Sequence, residues 1–262
     1  MIAQQSRGLE PGFAVACDDD LLRITQAEGD PARHVVSFTG IGWGMQGIQT
    51  EEWRKTLGAG GSGTATYVID KQRGWYNSTY EPICRHLTAL TAGSGRVTTL
   101  GNSMGGFGAL YFASAIPHCA RAVAFAPQFS VNPALMPPKE TRWAQYRRQI
   151  LTHHRGHALE HPSADIDYIA FYGEGTEIEL AHARRLVRVA TPRTFIFLVG
   201  DCEHDVAATV KQAGLLPNLL DLLLGDAPFR PGAVVRLLRE GGIKIRRIGP
   251  GTGTGTAQAP AA

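Results

Sequence analysis

Long apolar runs are missing from this sequence. Nothing in its 262 residues approaches the ~18 apolar positions in a row that a membrane-crossing helix requires, and the opening MIAQQSRGLEPG lacks the hydrophobic stretch of a secretory leader. A cytoplasmic protein with no membrane partner is therefore expected. Cysteine is scarce as well. Cys17, Cys84, Cys119 and Cys202 stand far apart and form no C-x-x-C pair, which argues against a zinc site and a disulfide framework and for four reduced thiols. Charge of one sign is also lacking: 26 Lys and Arg against 23 Asp and Glu leave a formal +3. The basic residues are scattered rather than striped, so no nucleic-acid partner is expected, and the short late cluster IKIRRI does not alter that.

The composition that remains, 44% hydrophobic and 19% charged, is that of a globular chain long enough to bury a large core in one domain. Two short strands over 13–17 and 21–26 flank the turn DDD, a hairpin whose three aspartates read as a solvated turn rather than a cation site. A buried-type strand over 34–38 leads into the glycine-rich loop TGIGWGMQGIQ, a short helix over 51–57 and a strand over 64–69. From there helices (80–90, 104–115, 179–189) alternate with strands (96–100, 120–126, 167–172, 193–199), the rhythm of a parallel sheet. The alternation breaks at 128–165, a polar, proline-marked insertion with one expected helix over 141–152. Helices over 206–213 and 215–223 close a single α/β domain, 1–248, of eight strands, the first two antiparallel and the rest parallel. The low-complexity end, 249–262, has nothing to bury and reads as a disordered tail.

The segment LGNSMGGFGAL crowds Gly101, Gly105 and Gly106 around Ser103 at a strand-to-helix junction. A nucleophilic serine needs such a turn. Small residues two before and two after it let strand and helix approach without Cβ clashes, exposing the hydroxyl while the next N–H points into the same space. The competing reading is a plain packing turn with an incidental serine. It weakens because His204, in GDCEHDVAATVKQAG, is the one histidine of nine that follows the 193–199 strand, where the general base belongs. The acid belongs after the preceding strand, where FYGEGTEIELAHARRL offers Glu174, Glu177 and Glu179. Glu177 is preferred, far enough past the strand to reach His204, with Glu179 and Glu174 as alternatives. Backbone donors for an oxyanion are expected from Met104 and, in the loop FTGIGWG, from Ile41 with Gly42 as its neighbour.

The order Ser103, acidic cluster, His204, with a glycine loop after the third strand, resembles the α/β-hydrolase superfamily over about 13–224. The resemblance implies an α/β-hydrolase fold with a mostly parallel eight-stranded sheet, a cap inserted at 128–165, and a serine esterase or acyltransferase acting on a small-molecule acyl substrate with no cofactor. Two departures stand out: Thr39-Gly40 occupies the place where many members carry His-Gly, and the acid is a glutamate rather than the commoner aspartate.

Three other readings compete. TGIGWGMQG with Asp70 after the next strand has the look of a dinucleotide loop, but G-x-G-x-x-G demands glycine where Met45 stands. A non-catalytic binding module on the same fold is a second. HHRGHALEH sets His153, His154, His157 and His161 at helix-like spacings with Glu160 as the lone nearby acid, which reads as a surface or structural stretch rather than a metal site.

Overall fold

A computed structural model describes residues 13–42, 49–57 and 63–250. The strands are β1 (Phe13–Asp18), β2 (Leu22–Ala27), β3 (Asp30–Phe38), β4 (Gly63–Asp70), β5 (Arg96–Asn102), β6 (Cys119–Phe125), β7 (Asp167–Gly173), β8 (Thr194–Val199) and β9 (Ile245–Ile248). They form one sheet in the order β1-β2-β4-β3-β5-β6-β7-β8-β9, in which β3 to β8 run parallel and β1, β2 and β9 pair antiparallel. The helices are α1 (Arg54–Leu57), α2 (Tyr80–Thr91), α3 (Met104–Ala113), α4 (Ala144–Arg147), α5 (Glu177–Arg188), α6 (Val206–Gln212), α7 (Leu216–Leu224) and α8 (Pro231–Glu240).

The central strands read as continuous apolar runs because both faces are covered. Along β6, β7 and β8, Ala122, Ala124, Tyr168, Ala170, Tyr172, Ile196 and Leu198 face one core with α2, α3 and α5. Their alternating neighbours Val123, Phe125, Ile169, Phe171, Phe197 and Val199 face a second core with α6, α7 and α8. The strand period of two thus sorts side chains into two layers about a single sheet. Among the described residues no helix is long and apolar enough to cross a membrane.

Three expectations are corrected. A ninth strand, β9, closes the sheet against β8, where the sequence reads as a basic cluster: only Ile245 of IRRI is fully buried, and Arg246 and Arg247 point to solvent, so the apolar signal is faint. The helix α8 also lies beyond the expected elements: only Val234 and Leu238, four positions apart, are buried on it, so its apolar pattern is thin. The helix expected over 141–152 is a single turn, α4, since Trp143 adopts a left-handed backbone (φ 58°) that a helix cannot pass through. The insertion is nonetheless anchored, with Phe129, Val131, Ala158 and Leu159 packed into the core beside α3. Within its histidine stretch, the His154 ring stacks on Tyr80 and the His157 ring on Phe129, at centroid distances of 4.9 and 4.7 Å. Most of the expected tail, 251–262, lies outside the described residues.

Packing is tight at the β5–α3 junction. A Cβ on Gly101 would sit 2.1 Å from the backbone of Gly105, and one on Gly105 would sit 2.0 Å from the carbonyl oxygen of Phe38 on β3. Both contacts are with backbone, which cannot swing away. Gly105→Ala is therefore expected to destabilise the protein by more than about 3 kcal/mol or prevent soluble expression. Gly93→Ala, whose Cβ meets nothing within 4 Å, should stay within about 0.5 kcal/mol of wild type in urea unfolding.

Candidate active site

Ser103 follows β5 in a strained conformation, φ 56° and ψ −120°, with its N–H donating to Phe125 O of β6 at 2.8 Å. The turn throws the hydroxyl out over the carboxyl edge of the sheet, where Ser103 Oγ lies 2.7 Å from His204 Nε2. His204 stands between β8 and α6, with 30% of its side chain exposed. Its Nδ1 lies 2.9 Å from Glu179 Oε1, and the Glu179 side chain is 1% exposed.

The acid beside the imidazole is thus Glu179 and not the expected Glu177. Helix α5 begins at Glu177 with Thr176 as N-cap, whose hydroxyl accepts the Glu179 N–H. Two residues further on along a helix is a turn of about 200°, so Glu179 faces the sheet while Glu177 faces solvent, 67% exposed and paired to Arg184. Glu174 pairs with Arg246 of β9 at 2.6 Å. The signal that places the helix start correctly is T-x-x-E from Thr176 to Glu179, a pattern typical of a first turn. Burial works to raise the Glu179 pKa, but the hydrogen bond and charge of His204 together with the Arg142 guanidinium outweigh it and hold the carboxyl below its usual range.

Arg142 reaches this pair from the insertion. Its Nη1 donates to Glu179 Oε1 at 2.6 Å, and its Nε and Nη2 donate to Glu140 at 3.0 and 2.5 Å. Glu140, 1% exposed, also accepts from His182 Nε2 at 2.9 Å, and the Phe129 N–H donates to His182 Nδ1 at 2.9 Å. That last bond fixes the tautomer: His182 carries its proton on Nε2. Burial lowers the His182 pKa against the opposing pull of Glu140, leaving a neutral ring. Glu140 resists burial and stays well below the carboxylate range because His182 and Arg142 hydrogen-bond it and the guanidinium neutralises it.

On the other side of Ser103, Met104 N–H and Ile41 N–H have no acceptor among the described residues. These are the two donors expected from the sequence, and Gly42 follows with φ 80°. The Thr39–Ile41 turn is tied down by distant side chains. Gly40 N–H donates to Glu52 Oε1 (2.9 Å), Tyr76 OH to Thr39 O (2.5 Å), Gln49 Nε2 to Gly40 O (3.2 Å) and Arg73 Nε to Ile41 O (3.0 Å). Met45 and the rest of 43–48 lie outside the described residues. Asp70 is buried and accepts the N–H groups of Gln72, Gly74 and Tyr76 at 3.1, 2.8 and 2.8 Å, so it organises its own loop and is not free to hold a ribose. Trp75 on that loop donates from Nε1 to Gln128 Oε1 at 2.9 Å, which turns the Gln128 amide nitrogen toward Ser103 Oγ, 3.5 Å away.

Two surface hollows of about 540 and 510 Å³ lie beside α8 and between α5 and β9, away from Ser103, so side-chain geometry rather than cavity size marks this site. Among the described residues no three His, Cys, Asp or Glu side chains gather in a way that could hold a metal ion.

No protein-family model matches the sequence, and a search of curated protein sequences finds no match. Solved structures do match. The propionate-bound esterase Est2 of Thermogutta terrifontis aligns with a TM-score of 0.56 at 15% identity, over 83% of this chain and 97% of that one. The fluorophosphonate-binding serine hydrolase F of Staphylococcus aureus aligns with a TM-score of 0.55 at 12% identity, over 82% and 98%. A 2,6-dihydroxy-pseudo-oxynicotine hydrolase aligns at 0.53 and 16% identity over 80% of this chain, which spans 66% of that longer one, just under two thirds. At such identities the likeness is one of fold, and with the strand order above it is plain: this chain has the α/β-hydrolase fold, with nine described strands where eight were expected.

Glu52, beneath the Thr39–Ile41 turn, supplies a pH test of this arrangement. Burial pushes its carboxyl up from 4.5 to about 7, partly opposed by the Gly40 N–H. A carboxyl whose folded pKa exceeds its unfolded one destabilises the fold progressively as pH rises from 4.5 through about 7. Glu52→Gln keeps an acceptor for Gly40 and removes the titration. It should be more stable than wild type by about 1 to 3 kcal/mol at pH 8, with the gap closing at pH 4.5 and below, as read by thermal melts across pH.

Proposed function

We propose that this chain is a serine hydrolase that cleaves an ester or related acyl bond through an acyl-enzyme at Ser103. The observation that carries this reading is the continuous line from Ser103 Oγ to His204 Nε2 (2.7 Å) and from His204 Nδ1 to Glu179 Oε1 (2.9 Å) at the end of a strained β5 turn. With the Nδ1 proton donated to Glu179, Nε2 is free to take the Ser103 proton as Oγ attacks the acyl carbonyl carbon. Negative charge then collects on the carbonyl oxygen, where donation from the Met104 and Ile41 N–H groups would stabilise it. Collapse of that adduct breaks the bond to the leaving alcohol, which departs with the proton from His204. Water, deprotonated by the same imidazole, releases the acid and restores Ser103.

The chemistry belongs to the carboxylester hydrolases. The same acyl-enzyme would serve an acyltransferase if an alcohol rather than water took the acyl group. The insertion at 128–165 covers the acid side of the site through Arg142 and is proposed to set substrate choice. The four free thiols fit a reducing compartment such as the cytoplasm.

Ser103→Ala should keep the wild-type melting temperature, lose fluorophosphonate labelling and lower p-nitrophenyl ester turnover by roughly 10³ or more. Glu179→Gln should cut turnover steeply without unfolding the protein, whereas Glu177→Gln should stay within about twofold of wild type, as surface substitutions usually do. Undiminished turnover in Ser103→Ala would sink the proposal.

A further inference from the structure

We propose that Arg142 is a positioning residue for the His204–Glu179 pair: it fixes the acid carboxylate in place as an anion, and its charge opposes that of the carboxylate at the imidazole. This role rests on the serine-hydrolase reading above.

The geometry is specific. Glu179 Oε1 accepts from Arg142 Nη1 at 2.6 Å and faces His204 Nδ1 at 2.9 Å, so one buried oxygen serves both partners. The guanidinium is clamped from behind by Glu140, through Nε and Nη2, and Glu140 is held in turn by His182 and by Arg147, whose Nη1 is 3.6 Å away and whose Nη2 donates to Glu140 O at 3.0 Å. With 26% of its side chain exposed, Arg142 is pinned where a surface arginine would be free to move. Its fork shape lets it reach two carboxylates at once, which a lysine ammonium cannot do in the same way.

Arg142 Nη1 also stands 3.2 Å from His204 Nδ1. While Nδ1 carries the proton that it gives to Glu179, it cannot accept from Arg142, and the guanidinium is then a positive charge beside the ring. A cation at that distance disfavours the imidazolium. The Glu179 carboxylate favours it, so the two charges beside the ring oppose each other. The groups facing the pair are few. Glu179, Arg142, Glu140 and Arg147 are charged, His182 is neutral, and the buried Tyr172 hydroxyl and Cys202 thiol feel the Glu179 charge with pKa values pushed up chiefly by burial. Glu203 and Asp205 flank His204 on its own loop and are exposed.

The test is the rate of fluorophosphonate labelling of the full chain between pH 5 and 9, with Ser103→Ala defining the background. In Arg142→Gln the acid limb of the profile should move up by about one pH unit and the plateau fall about tenfold. Arg142→Lys, which keeps the charge, should restore the limb while leaving the plateau low. Glu140→Gln removes the anion behind the guanidinium and should move the limb the other way, to lower pH. A merely structural role would lower plateaus without opposite shifts. If Arg142→Gln labels at Ser103 with the wild-type limb, the role is overturned and the hydrolase reading stands. Should that variant fail to fold, a wild-type limb in Glu140→Gln overturns it equally. A wild-type protein that never labels at Ser103 overturns both.

Discussion

The backbone crossing at the start of α3 is the constraint on which the rest of the site depends. Phe38 O of β3 approaches so closely that residue 105 can carry no side chain, and the same holds between residues 101 and 105. Only because helix and strands meet at this separation does the chain turn through φ 56° at Ser103 and leave its N–H bonded to Phe125 O on the neighbouring strand. Three adjacent strands, β3, β5 and β6, therefore converge on one residue. The hydroxyl and the Met104 N–H are consequences of that turn, and the Ile41 N–H arrives from the end of β3, the strand whose carbonyl sets the crossing.

Beyond the crossing, the sheet order decides which loops meet. β7 and β8 lie on the β6 side of Ser103, so the acid loop and the histidine loop come from there while the Thr39–Ile41 turn comes from the opposite side. Gly175 N–H donates to Cys202 O at 2.8 Å, tying the start of α5 to the loop that carries His204. The buried charges on that side, Glu179, Arg142 and Glu140, are poor candidates for simple stabilisers, because desolvating three ions offsets much of what their attraction returns. What they give is fixed direction: each carboxylate oxygen that reaches the imidazole or the guanidinium is held from at least two sides.

How much of this could be read in the sequence follows from how local each signal is. The β–α alternation from 63 to 199, the glycines about Ser103, and His204 after β8 are all contained in short windows, and the structure places those residues where the alternation puts them. The carboxylate beside His204 is Glu179, an alternative to the preferred Glu177, because α5 starts at Glu177 and not at the expected Glu179; helix phase turns those two residues into the difference between solvent and site. Strand β9 was missed because four residues with two exposed arginines carry little periodicity. Gln128, Glu52 and Glu140 were illegible for another reason: their partners Trp75, Gly40 and His182 are 53, 12 and 42 positions away, and no local pattern announces such pairs.

The departure at Thr39-Gly40 shows the same physics from the other side. Where the resemblance implies a histidine before the glycine, this turn carries threonine, yet it is not left slack. Thr39 Oγ1 donates to Thr50 O at 3.1 Å, Tyr76 OH donates to Thr39 O, and Glu52 accepts the Gly40 N–H. The Tyr76 hydroxyl is in place only because Asp70 folds its loop through the left-handed residues Arg73, Trp75 and Tyr76, and that loop also presents Trp75 to Gln128. One buried carboxylate therefore governs both flanks of Ser103. The support that one side chain would have given locally is spread over a loop from β4, and a lesion at Asp70, far from the hydroxyl, would loosen the Thr39–Ile41 turn and the Gln128 amide together.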